Sequence, residues 1–141
     1  MFSEDEVIPQ SGVIPYQFDK NNQLQIMLVT SKLRGVWILP KGKIELDLTS
    51  MESASKEAFE EAGVKGKIEN QVVGTYNYSK FGNDYSVEFF PLEIETVLEE
   101  WDEMDFRRRE LFEINDAIDN VYDQELRDIL IDFQDYIQGK E

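Results

Sequence analysis

Residues 49 to 63 carry both ends of a helix in their own side chains, and that helix constrains how the rest of the chain can fold. Thr49 followed three residues later by Glu52 is a capping box, in which each side chain takes the other's backbone N–H. Gly63 fits the left-handed position just beyond the last turn. Between them Met51, Ala54, Ala58 and Ala62 form a stripe of mostly small residues. So slim a stripe asks for close approach to a flat partner, and a β-sheet is that partner.

The strands of such a sheet are legible on either side. Gly12 to Phe18 and Leu24 to Thr30 are β-rich runs joined by Asp19-Lys20-Asn21-Asn22, which reads as a hairpin. A short third strand covers Val36 to Leu39, ended by Pro40-Lys41-Gly42, after which a charged loop runs to Leu48. Beyond the helix, Gln71 to Tyr78 and Tyr85 to Ile94 read as strands around a Gly82-Asn83 turn. Leu126, Ile129, Leu130, Phe133 and Ile137 then recur at helical spacing and face a core. Strands, helix, strands, helix in that order predict an α/β/α sandwich or an α+β domain with a mixed sheet. The 141 residues suit one domain, and 41% hydrophobic content argues against disorder.

Charge and missing residue types narrow the chemistry. Fourteen basic against thirty acidic residues leave a net charge of −16, which repels duplex nucleic acid and requires a local basic patch or a metal for any anionic substrate. Without cysteine there is no disulfide, thiolate nucleophile or zinc-thiolate site. Histidine is absent too, so carboxylates must do any acid-base or metal work. Met1 to Glu6 lack the charge and apolar run of a signal peptide, and no stretch reaches the ~20 apolar residues of a membrane span, so a cytoplasmic protein is expected.

Glu57, Glu60 and Glu61 place three carboxylates on one helical face, two of them in the last turn. Like charges at this spacing repel, and the negative end of the helix dipole disfavours anions there. A divalent cation reverses both penalties, and Glu oxygens are what Mg²⁺ binds, usually together with substrate phosphates. The plainer reading is a solvated acidic face.

The segment from Gly42 to Val64 resembles the Nudix box, G-x5-E-x7-R-E-U-x-E-E-x-G-U with U aliphatic. Gly42, Glu57, Glu60, Glu61, Gly63 and Val64 match, and Ala58 fits the apolar slot. Leu48 stands where the first Glu belongs, and Lys56 replaces the Arg. In the family those two brace the loop against the helix, so their joint change implies a lost brace, with Asp47 as a partial stand-in. Gly12-Val13-Ile14-Pro15-Tyr16, Trp37-Ile38-Leu39-Pro40-Lys41-Gly42, Val97-Leu98-Glu99-Glu100-Trp101 and Arg107-Arg108-Arg109-Glu110-Leu111-Phe112 extend the resemblance toward diphosphoinositol polyphosphate phosphohydrolases and their bacterial relatives.

That resemblance implies a Nudix α/β/α sandwich that hydrolyses a pyrophosphate linkage with Mg²⁺ or Mn²⁺. It implies metal binding by Glu57 and Glu61 with Glu60 beside them, the Lys41 carbonyl as a backbone ligand, and Glu60 as general base. Dinucleoside polyphosphates, nucleoside diphosphate derivatives and diphosphoinositol polyphosphates all fit as substrates, with the protein a monomer or homodimer. Basic side chains supply the phosphate contacts: Arg34, Lys41 and Lys43 before the box, and Arg107 and Arg109 after it. Their other reading is the balancing of Glu103, Asp105 and Glu110 nearby. Trp37, Tyr76, Tyr78 and Trp101 can stack on a base, although packing is the more frequent use of such rings. Two further readings stay open: a Nudix-fold module that holds a phosphorylated ligand without turnover, motivated by Leu48 and Lys56, and an acidic interaction domain with no ligand.

Overall fold

A computed structural model describes residues 6–140, so the reading of the N-terminus at Met1 to Asp5 lies outside the described residues. Eight strands form one mixed sheet: β1 (Val7–Phe18), β2 (Leu24–Thr30), β3 (Trp37–Ile38), β4 (Lys41–Lys43), β5 (Val64–Ile68), β6 (Gly74–Lys80), β7 (Asn83–Val97) and β8 (Arg109–Glu113). Helix α1 (Ser50–Glu57) runs into a π-helical turn (Ala58–Ala62), and α2 (Ile114–Asn120) and α3 (Gln124–Gln138) follow β8. The fold is α+β, as the element order predicts.

Alternation along β1 and β2 explains the layers. Val13, Met27 and Val29 bury on one face with Ala54, Ala58 and Ala62 of the first helix. Their neighbours Ile14, Ile26 and Leu28 bury on the other with Leu126, Leu130 and Phe133 of α3. A strand buried on both faces reads as a continuous apolar run, and this sheet is covered by helices on each side. The small-residue stripe does meet the sheet.

The path of β1 opens the sheet. It pairs in parallel with β7 from Val7↔Asp84 to Tyr16↔Glu93, but on its other edge it changes partner. Tyr16 to Phe18 face β2, whereas Gln10 to Gly12 face β4. The reading of Pro40-Lys41-Gly42 as a break followed by a loop is therefore corrected: Lys41–Lys43 is a short strand, because the edge of β1 that β2 leaves free offers backbone partners. Sequence reasoning also missed β5, β8 and α2. The turn after β6 is tighter than expected, with Phe81 and Gly82 alone linking Lys80 to Asn83, both at positive φ.

Candidate active site

The capping box forms as read: Thr49 Oγ1 accepts from Glu52 N at 3.1 Å, and Glu52 Oε1 accepts from Thr49 N at 2.9 Å. At the far end Gly63 takes φ 64°, and its N–H reaches the carbonyls of both Ala58 and Phe59. The reach back to Ala58 is the widened π turn, a deviation that concentrates at functional sites. Arg109 completes the stop by donating to the Ala62 carbonyl at 2.8 Å and to Leu98 O, while its guanidinium lies 3.7 Å from the Trp101 ring centroid. A cation there offsets the negative end of the helix.

Within this turn Glu61 is only 4% exposed and hydrogen-bonds to Glu57. Burial pushes the Glu61 carboxyl up to about 8, although Arg107 lies 3.4 Å away and the Lys41 N–H donates to it at 3.2 Å. Burial raises Glu57 as well, while its bond with Glu61 works the other way. Burial thus favours the neutral form of both carboxyls, and the bond between them favours the proton on Glu61 over Glu57. Gly42 leaves room for this pair, since a Cβ at that position would sit 2.3 Å from the Glu57 carboxyl carbon.

Glu60 takes a different direction. Its carboxylate lies 2.9 Å from Lys56 Nζ, which also bonds Glu45 Oε2 at 2.7 Å. Among the described residues no group of three acidic side chains forms a ready-made ion cage. In this structure Glu60 pairs with Lys56 and Glu103 with Arg107, while Glu57 and Glu61 bond each other. The lost brace is corrected. Glu45 ties the loop to Lys56, and its N–H donates to Ser53 Oγ at 3.0 Å, so neither Leu48 nor Asp47 is needed for the tie.

The basic residues divide. Arg107 bonds Glu103 Oε1 at 2.8 Å and the Thr30 carbonyl at 2.9 Å besides facing Glu61, so it and Arg109 are spent on internal partners rather than presented to solvent. Lys43 is exposed at the end of β4. Arg34 stacks on the Tyr122 ring at 4.6 Å and donates to its hydroxyl. Lys41 links two regions: its N–H meets Glu61, and its ammonium lies 4.4 Å from the Tyr78 ring centroid and 3.3 Å from the Tyr78 hydroxyl. Burial lowers its pKa. That ammonium opens on a cleft of about 350 Å³ which Arg34, Tyr76, Phe81 and Tyr122 also line.

Glu103 was read in the sequence only as a counter-charge. Its N–H binds the Glu60 carbonyl at 3.1 Å, and its charge acts on Glu57, so the 99–106 segment closes one side of the site. Gln10, buried and accepting from the Tyr78 hydroxyl at 2.8 Å, was not anticipated at all. Trp37 packs edge-on against Phe112 at 5.1 Å, which is a packing use.

The sequence profile of the NUDIX domain matches residues 9–133. The chain belongs to the Nudix hydrolase family. Among its Nudix relatives, "Nudix hydrolase 13, mitochondrial" of Arabidopsis thaliana is 31% identical over 130 residues, covering 77% of this chain and 64% of the relative. Diphosphoinositol polyphosphate phosphohydrolase 3-beta of Bos taurus is 31% identical over 104 residues, covering 72% and 62% respectively. This Nudix chain thus spans less than two-thirds of the length of either relative. A C. elegans Ap4A hydrolase, solved as a binary complex, superposes with a TM-score of 0.80 over 94% of this chain and 99% of that one, at 21% identity. The NUDIX domain of Shewanella oneidensis NrtR, complexed with ADP ribose, gives 0.76 over 94% and 90% at 12% identity. At such identities the likeness establishes the Nudix fold.

Proposed function

We propose that this Nudix domain hydrolyses a pyrophosphate linkage in a small phosphate-rich substrate, with Mg²⁺ or Mn²⁺ held by Glu57 and Glu61 beside the Lys41 backbone. The observation that carries this reading is the bonded pair of half-buried Glu57 and buried Glu61. Two acidic side chains that bond each other, one of them buried, are a costly arrangement, and their hard oxygens suit a divalent ion. When bound, such an ion polarises a phosphoryl oxygen and offsets the charge that develops on it.

The chain's own side chains supply the rest. The Lys41 ammonium, buried and beside a phenol, receives phosphate oxygens as charge-assisted partners. Arg107 keeps Glu61 oriented and Glu103 in place. Glu60 accepts the proton of the attacking water once its surface pair with Lys56 opens. The substrates that fit are those the resemblance implies: a nucleoside-diphosphate-linked compound, a dinucleoside polyphosphate or a diphosphoinositol polyphosphate. The reading also carries a cytoplasmic location. Among the described residues no helix is long and apolar enough to cross a membrane.

The Lys56–Glu60 ion pair favours a second reading, a domain that binds a phosphorylated ligand with little turnover, since it neutralises the base. Turnover assays with Mg²⁺ and Mn²⁺ against all three substrate classes separate the two. Metal-dependent product formation from any class supports hydrolysis, and saturable binding without product supports the module.

A further inference from the structure

Two buried side-chain polar atoms find no hydrogen-bond partner among the described residues, Ser11 Oγ and Trp101 Nε1. Such orphans are rare, because a hydroxyl taken out of water without a partner carries a desolvation cost that a methyl group does not. Ser11 lies on β1 and is wholly buried. Packing alone would be served as well by alanine.

The strand register gives the direction of that hydroxyl. Ser11 stands opposite Gly42 in the antiparallel pair of β1 and β4, and opposite residues of a ladder send their side chains to one face, with Cβ atoms roughly 4.5–5.5 Å apart. Gly42 has no side chain, and the Glu57 carboxyl occupies its place: a Cβ there would lie 2.3 Å from the carboxyl carbon and 2.5 and 2.7 Å from the two oxygens. The Glu57 carboxyl is therefore the cross-strand neighbour of Ser11. Alternation along β1 agrees. Val13, two residues on, packs with Ala54 and Ala58 of the helix that carries Glu57, whereas Gln10, one residue back, turns to Tyr78 on the other face.

With Glu57 and Glu61 as the cation site proposed above, the orphan acquires a use. A carboxylate that holds a cation through one oxygen can accept a hydrogen bond on the other, and outer partners of this kind orient metal ligands. Glu61 has such partners in Arg107 and the Lys41 N–H. For Glu57, which bonds Glu61 in the structure, Ser11 is the donor that its own face offers. We infer that Ser11 is a positioning residue of the cation site, its hydroxyl donating to the Glu57 carboxylate when that group turns from Glu61 to a divalent ion.

Ser11→Ala separates this role from packing, with two readouts that do not need turnover. Electron paramagnetic resonance of free Mn²⁺ reads affinity, and urea unfolding in chelator reads the stability of the protein without metal. Affinity for Mn²⁺ should fall ~10-fold in Ser11→Ala, while the urea midpoint stays level or rises because a buried unpaired hydroxyl has been removed. Native affinity in Ser11→Ala, with binding abolished in Glu57→Gln/Glu61→Gln, overturns the role of Ser11 and leaves the cation site standing. A loss of affinity that comes with a lower urea midpoint makes Ser11 a packing residue and overturns the role as well. Mn²⁺ binding undiminished in Glu57→Gln/Glu61→Gln overturns the cation site, and the role of Ser11 with it.

Discussion

Glu61 should make the metal-free protein less stable as the pH rises from 6 to 8. Its carboxyl titrates at 4.5 when unperturbed and about 8 in the fold, so between those values the native state holds a proton that the unfolded chain has released. Stability falls with pH wherever the folded state binds more protons, with a limiting slope of ~1.4 kcal/mol per pH unit. A single group titrating at about 8 yields roughly 2 kcal/mol of loss between pH 6 and 8. Urea unfolding at pH 6, 7 and 8 with chelator present measures it. Glu61→Gln, which stays neutral, should flatten the curve, and saturating Mg²⁺ should flatten it too, because the ion-bound native state then holds no more protons at Glu61 than the unfolded chain does. The reasoning is refuted if native protein and Glu61→Gln show the same pH dependence.

Other perturbations test the surrounding parts. Glu60→Gln keeps shape but cannot accept a proton, so kcat should fall ~10²-fold while a thermal-shift titration with Mn²⁺ stays close to native; unchanged turnover would move the base to another carboxylate. Because Lys56 is already held by Glu45, Leu48→Glu combined with Lys56→Arg should give close to additive effects in a double-mutant cycle, and a large positive coupling would revive a brace through position 48. Gly42→Ala drives a methyl group into the Glu57 carboxyl, so activity should fall at least ~10-fold with ~1–3 kcal/mol lost by urea unfolding; a variant as active as the native protein would show that Glu57 can move aside freely.

The helix at residues 49 to 63 was legible because each of its signals is local: the Thr49–Glu52 box, the alanine stripe and the Gly63 stop all work within a few residues. The hairpin of β1 and β2 and the core face of α3 were legible for the same reason. What escaped depends on distant partners. Val64 to Ile68 reads as a polar lysine- and glycine-containing stretch and becomes β5 only because the end of β7 needs a neighbour. Lys41 to Lys43 likewise becomes a strand only where β1 is left by β2. In the site, the spacing of Glu57, Glu60 and Glu61 located the right turn but not the π widening, nor the pull of Lys56 on Glu60. Arg107 and Arg109 stood out as positive charge, yet only the fold reveals that backbone carbonyls and buried carboxylates consume them. No sequence periodicity marks Glu103 or Gln10, which reach the site from a loop and from the opposite end of the chain.

The most direct test compares native protein with Glu57→Gln/Glu61→Gln on a dinucleoside polyphosphate in Mg²⁺, with products resolved by anion-exchange chromatography. The account predicts that the native domain splits the polyphosphate bridge only when the cation is present, and that the double variant, still folded by circular dichroism, loses at least ~10³-fold of that rate. A double variant that cleaves the bridge as fast as the native chain would contradict the claim that this carboxyl pair is where the chemistry takes place.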